Sequence, residues 1–148
     1  MIVSSEDIKQ SIVENLIKHF PDIVVYKEVT AEPIYPNFFI NLIEISSQEQ
    51  RKNFFILTYS FDIRYRNVND PTTDLKLQQH LDTISFELLH DFDIIDFESS
   101  KVRVKNKQCK VIDGVLHFLF EIDLYVVKVS DEPILKMDRL KLDVLKDN

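Results

Sequence analysis

"KVIDGVLHFLFEIDLYVV", residues 110–127, decides how this chain folds. It contains Gly114, the only glycine in 148 residues. Beyond that glycine, Leu116, Phe118, Phe120, Ile122, Leu124 and Val126 alternate with His117, Leu119, Glu121, Asp123 and Tyr125. A two-residue period over this length describes a strand with one buried face. Asp113-Gly114 between two extended runs predicts a tight hairpin turn, because such turns require positive φ. The charges at Glu121 and Asp123 break the run well short of the roughly 20 apolar residues that span a bilayer. The stretch therefore reads as a strand end, a turn and a long strand.

The run before it, "KVRVKNKQCKVI" (101–112), supplies the partner strand. Its Lys101, Arg103, Lys105 and Lys107 alternate and are expected on one solvated strand face. Farther upstream, "FFINLIEISSQEQRKNFFILTYSFDIRYR" (38–66) reads as two strands joined by a polar connection around Ser47 to Lys52. Phe55, Leu57, Tyr59, Phe61, Ile63 and Tyr65 hold a strict alternation in the second of these. "DIVVYKEV" (22–29) gives a strand of about six residues.

Two helices bracket the strands. In "SSEDIKQSIVENLIKHF" (4–20), Ser4 or Ser5 can cap, and Glu6 and Asp7 suit the positively polarised first turn. Ile8, Ile12, Val13, Leu16, Ile17 and Phe20 recur at three- and four-residue spacing, and Pro21 stops the helix. The second helix follows Asp70-Pro71, with Thr72 or Thr73 as cap and Leu77, Leu81, Ile84 and Leu88 as its buried stripe, helped by Leu89. This order predicts an α+β fold: a two-layer sandwich with a mainly antiparallel sheet of about five strands, two helices on one face, and a C-terminal tail. Residues 1–131 form a single domain in this reading. Residues 132–148, set off by Pro133, form an amphipathic tail.

Composition narrows function mainly by exclusion. A chain this long, 45% hydrophobic, has ample material for one core. A net charge of −7 argues against a phosphate-binding surface, so no specific nucleic-acid partner is expected. One glycine cannot build a phosphate-cradling loop or a nucleophile elbow. The single Cys109 has no disulfide or metal-ligand companion and fits a reducing compartment. The opening "MIVSSEDIKQ" lacks the features of a signal peptide, so a soluble cytoplasmic protein is expected.

Titratable clusters are equally plain. "HDFDIIDFE" (90–98) is dense in carboxylates, but without a glycine for a calcium-loop turn it reads as an acidic loop at a helix end. His117 beside Glu121 and Asp123 reads as a half-exposed sheet residue rather than a catalytic base. No catalytic constellation, metal site, cofactor site or small-molecule substrate is expected.

Three features together resemble a known family. Tyr35-Pro36 precedes Phe38-Phe39-Ile40, one strand ends Phe61-Asp62-Ile63-Arg64-Tyr65, and Ile112-Asp113-Gly114-Val115-Leu116-His117-Phe118 forms the hairpin. Their order, over residues 6 to about 130, resembles the tail terminator proteins of phages, prophages and phage-tail-like bacteriocins of Gram-positive bacteria. The resemblance implies a non-enzymatic structural protein that forms a ring, usually of six subunits. Such a ring closes the head-proximal end of the tail tube, ends polymerisation, and joins the head or neck. In contractile tails it also meets the last sheath ring. The implied partners are further copies of the chain, the tube protein, the sheath protein and a head or neck protein. Assembly would take place in the host bacterial cytoplasm, before incorporation into the particle. A head–tail connector, or a small ligand-binding regulatory module, is the alternative reading.

A closed ring needs two different patches on each subunit. Exposed positions at the polar connection, Ser47, Gln48, Glu49, Arg51 and Lys52, supply one expected patch. Apolar positions of the tail, Ile134, Leu135, Met137, Leu140 and Leu142, supply the other.

Overall fold

A computed structural model describes residues 4–67, 75–129 and 132–135 of the chain. Helix α1 (Ser5–His19) leads into β1 (Val24–Tyr26), β2 (Asn37–Arg51) and β3 (Phe54–Arg66). Helix α2 (Leu75–Asp91) follows, then β4 (Ile94–Phe97), β5 (Ser100–Arg103), β6 (Lys105–Ile112), β7 (Val115–Val129) and β8 (Glu132–Leu135). The main sheet runs β1-β2-β3-β7-β6, and β8 lies on β7 beyond the end of β6. Only β1–β2 is parallel among these pairings. Strands β4 and β5 form a separate hairpin.

The sheet is organised by β3 and β7, which pair without a register shift from Phe54↔Val127 to Tyr65↔Leu116. That register sets Tyr59, Phe61, Ile63 and Tyr65 beside Ile122, Phe120, Phe118 and Leu116, all of them buried. Phe61 and Phe120 stack 5.6 Å apart, and Phe92 meets Phe118 and Phe120 edge-on at 5.7 and 5.5 Å. Such ring pairs add about 0.5–1.5 kcal/mol each beyond their buried area. Helix α1 closes this face with Ile8, Ile12, Val13 and Leu16, and α2 closes it with Leu77, Leu81, Ile84 and Leu88. The architecture is thus the expected two-layer α+β sandwich.

Local signals act as anticipated at two places. Ser4 caps α1 through a capping box with Asp7, satisfying amides the first turn leaves open. Asp113 and Gly114 carry φ of 51° and 76°, the conformation a tight hairpin demands. The cap of α2, expected at Thr72 or Thr73, lies outside the described residues.

Five expectations need correction. Ser47–Arg51 is strand rather than a polar connection: β2 stays paired with β3 to Arg51, and the turn is only Lys52-Asn53, with Asn53 at φ 66°. β1 has three residues rather than about six, because only Val24–Tyr26 find a partner in β2. "KVRVKNKQCKVI" is not one strand. Asn106 adopts φ 53° and the register slips between Lys105 and Gln108, so Lys105 faces away from the helices while Lys107 reaches the Leu89 carbonyl of α2. The acidic "HDFDIIDFE" segment is not one loop: His90 and Asp91 end α2, Ile94–Phe97 form β4, and Glu98 and Ser99, both at positive φ, turn it into β5. Ile17, read as part of the stripe of α1, is half exposed.

Two substitutions test this account of the core. Phe120→Ala removes a ring with three aromatic neighbours and is expected to cost about 3–5 kcal/mol in denaturant unfolding. Gly114→Ala forces a Cβ into a left-handed backbone and is expected to cost about 1–2 kcal/mol.

Candidate assembly surfaces

The sheet face away from the helices is covered by no other element among the described residues, and its strands carry polar side chains at alternate positions. Asp62 on β3 is almost fully buried there, with its Oδ2 2.9 Å from Nδ1 of His117 on β7 and 3.5 Å from Nε of Arg64. Next along the ladder, Ser60 Oγ donates to Glu121 (3.4 Å), and Asn106 Nδ2 donates to the same carboxylate. Beyond them, Asp123 accepts from Thr58 Oγ1 at 2.7 Å and from Lys105 Nζ at 2.8 Å. The Asp123 carboxylate holds the Lys105 ammonium above its ordinary pKa, mainly through that hydrogen bond. Asp62, Glu121 and Asp123 are thus each met by a cation or a donor, although Oδ1 of Asp62 is buried without a partner among the described residues. His117 was expected beside Glu121 and Asp123, but its actual partner is Asp62, one strand away.

A shallow depression of about 240 Å³ lies where β1, β2 and β3 meet, walled by Tyr26, Phe39, Arg64 and Arg66 among others. Arg64 is committed within it, stacking 5.9 Å over the Phe39 ring while it pairs with Asp62. Among the described residues no three His, Cys, Asp or Glu side chains converge as metal ligands, and no helix is long and apolar enough to cross a membrane. In "HDFDIIDFE", Asp93 is engaged by Lys107 and Asp96 by Lys101.

At its far end the sheet runs past the helices. Every residue of β2 from Ile43 to Gln50 is exposed, on both faces of the strand. Ile43 and Ile45 are 52% and 50% exposed. The pairing carries two rows across this end: Arg51–Phe54–Val127–Ile134 and Glu49–Phe55–Val126–Leu135. The two patches expected from the sequence therefore belong to one structural end, with Ser47, Gln48, Glu49 and Arg51 along its β2 margin and Ile134 and Leu135 along its β8 margin. Lys52 sits in the turn between β2 and β3. Met137, Leu140 and Leu142 lie outside the described residues.

A family model of the phage tail terminator protein matches residues 7–134. The chain belongs to that family. No curated protein matches the chain. A tail terminator is a structural component of a phage tail, so the chain is a virion protein that associates with other tail proteins. The match takes in the whole main sheet up to Ile134, including both margins of its far end, and stops short of Met137, Leu140 and Leu142.

Sequence reasoning missed the partnership of Asp62 with His117, because it depends on which residues of β3 and β7 face each other. The alternation Thr58, Ser60, Asp62, Arg64 on one strand and His117, Leu119, Glu121, Asp123 on the other was visible. A register counted back from the Asp113-Gly114 turn could not reach it, since β3 is joined to β7 through a helix and three strands.

Two measurements test the electrostatics of the terminator. In a double-mutant cycle, Asp62→Ala and His117→Ala are expected to couple by about 1–3 kcal/mol, since each single change leaves a buried polar group unpaired. The hydrogen bond from Lys107 holds the Asp93 carboxyl below its ordinary range. Its small stabilising effect is then present above about pH 4 and lost as pH falls through the lowered folded value. Nuclear magnetic resonance titration should show Asp93 protonating below an ordinary aspartate, and Lys107→Met should move it back up.

Proposed function

We propose that this terminator assembles into a closed ring, of six subunits, on the head-proximal end of the tail tube. The ring ends tube polymerisation and presents a surface for the neck or head. In a contractile tail it also abuts the last sheath ring. Assembly takes place in the host bacterial cytoplasm, before the particle is complete. The observation that carries this reading is the family match over residues 7–134. The acidic composition supports it: six copies carry six times the charge of −7, and an acidic ring does not grip DNA passing through its centre.

The far end of the sheet is the assembly end in this proposal. Ser47, Gln48, Glu49, Arg51 and Lys52 supply one contact, and Ile134, Leu135, Met137, Leu140 and Leu142 supply the other. Residues 132–148 act as an amphipathic arm that docks on a neighbouring subunit or on the tube. An exposed run of edge strand is costly to leave in water next to other chains, because it templates further pairing. A subunit that lives in an assembly can keep such a run for its neighbours.

Negative-stain imaging of tails made with and without the protein tests termination directly. Tails of unregulated length in its absence are expected, and normal lengths would refute the role. Replacing Met137, Leu140 and Leu142 together by Ser is expected to leave the thermal unfolding of the domain within about 0.5 kcal/mol of the parent. The same triple change should reduce recovery of the protein on isolated tails at least tenfold. Undiminished recovery would remove the tail from the interface.

A further inference from the structure

Both long margins of the main sheet are open among the described residues. β1 covers only Asn37–Phe39 of β2, leaving the outer edge of β2 beyond Phe39 without a strand, and β6 has no strand on its outer side. The edge of β2 is interrupted by register shifts at Leu42/Glu44 and Glu49/Arg51. Between them Glu44–Glu49 is regular strand, without the proline or lysine that natural sheets place on edges to keep other chains away. On β6 the regular stretch is Gln108–Ile112, of similar length.

These two edges are complementary in direction, face and charge. β2, β3, β7 and β6 alternate in direction, so β6 runs antiparallel to β2. A copy placed beside the first in the same orientation therefore brings its β6 antiparallel against β2, the more stable ladder. Glu44 and Ser46 point to the open face, being opposite Ser60 and Thr58, and Lys110 and Gln108 share that face opposite His117 and Leu119. Ile45 points to the helix face, as do Cys109 and Val111. Setting Glu44 opposite Lys110 places Ile45 opposite Cys109 and Ser46 opposite Gln108, with every face matched. Neither Glu44 nor Lys110 has an ion-pair partner among the described residues, whereas Lys105 and Lys107 are committed to Asp123 and Asp93. Val111 and Ile112 are 39% and 53% exposed at this edge, matching the half-exposed Ile43 and Ile45.

We infer that the partner of the β2 edge is β6 of the next copy, in an antiparallel ladder with Glu44 opposite Lys110. The contact uses two different edges, so it propagates head to tail and can close into a ring, joining the subunit sheets into one continuous band. The inference rests on the ring proposed above and gives its β2 contact a partner, β6, with the arm of residues 132–148 making a separate contact.

Within one chain Glu44 and Lys110 are separated by β3 and β7, roughly 14 Å across at about 4.8 Å per strand. They are also separated by five further residues along β6, since the row of Glu44 meets β6 at Lys105. Neither a disulfide nor a short linker joins them internally. The test is the variant Glu44→Cys/Lys110→Cys in a Cys109→Ser background, on the purified protein and on isolated tails, treated with a short bis-maleimide linker. A ladder of covalent dimers, trimers and higher species, involving most of the chain, is expected. Each single-cysteine variant should give less than a tenth of that yield. Cross-linking by either single cysteine alone would mean a contact of like edges and would overturn the inference. So would an assembly that does not cross-link, or a chain found only as a monomer both in solution and on tails. Tails of normal length without the protein would instead refute termination and leave the cross-linking result intact.

Discussion

The β3–β7 ladder is the constraint on which everything else depends. Twelve pairs run from Phe54↔Val127 to Tyr65↔Leu116 in one unbroken register. A slip of β7 by one residue would move Phe118 and Phe120 to the open face and bring His117 under the helices, away from Asp62. The apolar face is dense in Phe, Ile and Leu, so any odd slip would expose a row of large apolar side chains. The same register then lines up the polar face, so Asp62 meets His117 and Asp123 meets Thr58 and Lys105. Core and open face are two consequences of a single pairing.

That open face shows how a sheet with helices on one side can leave its other side to water. Its Asp62, Glu121 and Asp123 are held by donors from neighbouring strands. Tyr65 links the two layers, its hydroxyl 2.6 Å from Nε2 of His80 on α2, and burial pushes its pKa up to about 12. The groups available for contact lie instead at the margins, where β2 and β6 end the sheet, and at the far end, where β2, β3, β7 and β8 run on past the helices. In the assembly proposed here, the tail terminator keeps its folding core and its assembly surfaces on separate parts of one sheet.

Much of this was legible in the residues. The alternations of Phe55–Tyr65 and Leu116–Val126, the stripes of both helices apart from Ile17, and the Asp113-Gly114 turn are local patterns, and they formed as their residues dictate. The misreadings share one cause. Ser47–Arg51 looked like a loop because its residues are polar on both faces, yet pairing with β3 makes it strand, and polarity on both faces marks a strand that the domain itself does not bury. The split of residues 101–112 depended on Asn106 entering a left-handed backbone, which asparagine tolerates but does not announce. The shortness of β1 and the partner of His117 were set by long-range register. What was read as a loop, and the first residues of the tail, Glu132–Leu135, lie along the two margins of one sheet end, which no local pattern could have joined.

The central claim is that Glu44–Glu49 is an edge strand left open for a neighbour. Amide hydrogen exchange on the free chain and on the chain incorporated in tails measures this most directly. The alternate amides of that segment that point away from β3 should exchange quickly in the free subunit and become strongly protected on assembly, while amides of the β3–β7 ladder stay protected throughout. Equal exchange of the outward amides in both states, with the protein demonstrably on the tail, would contradict the account.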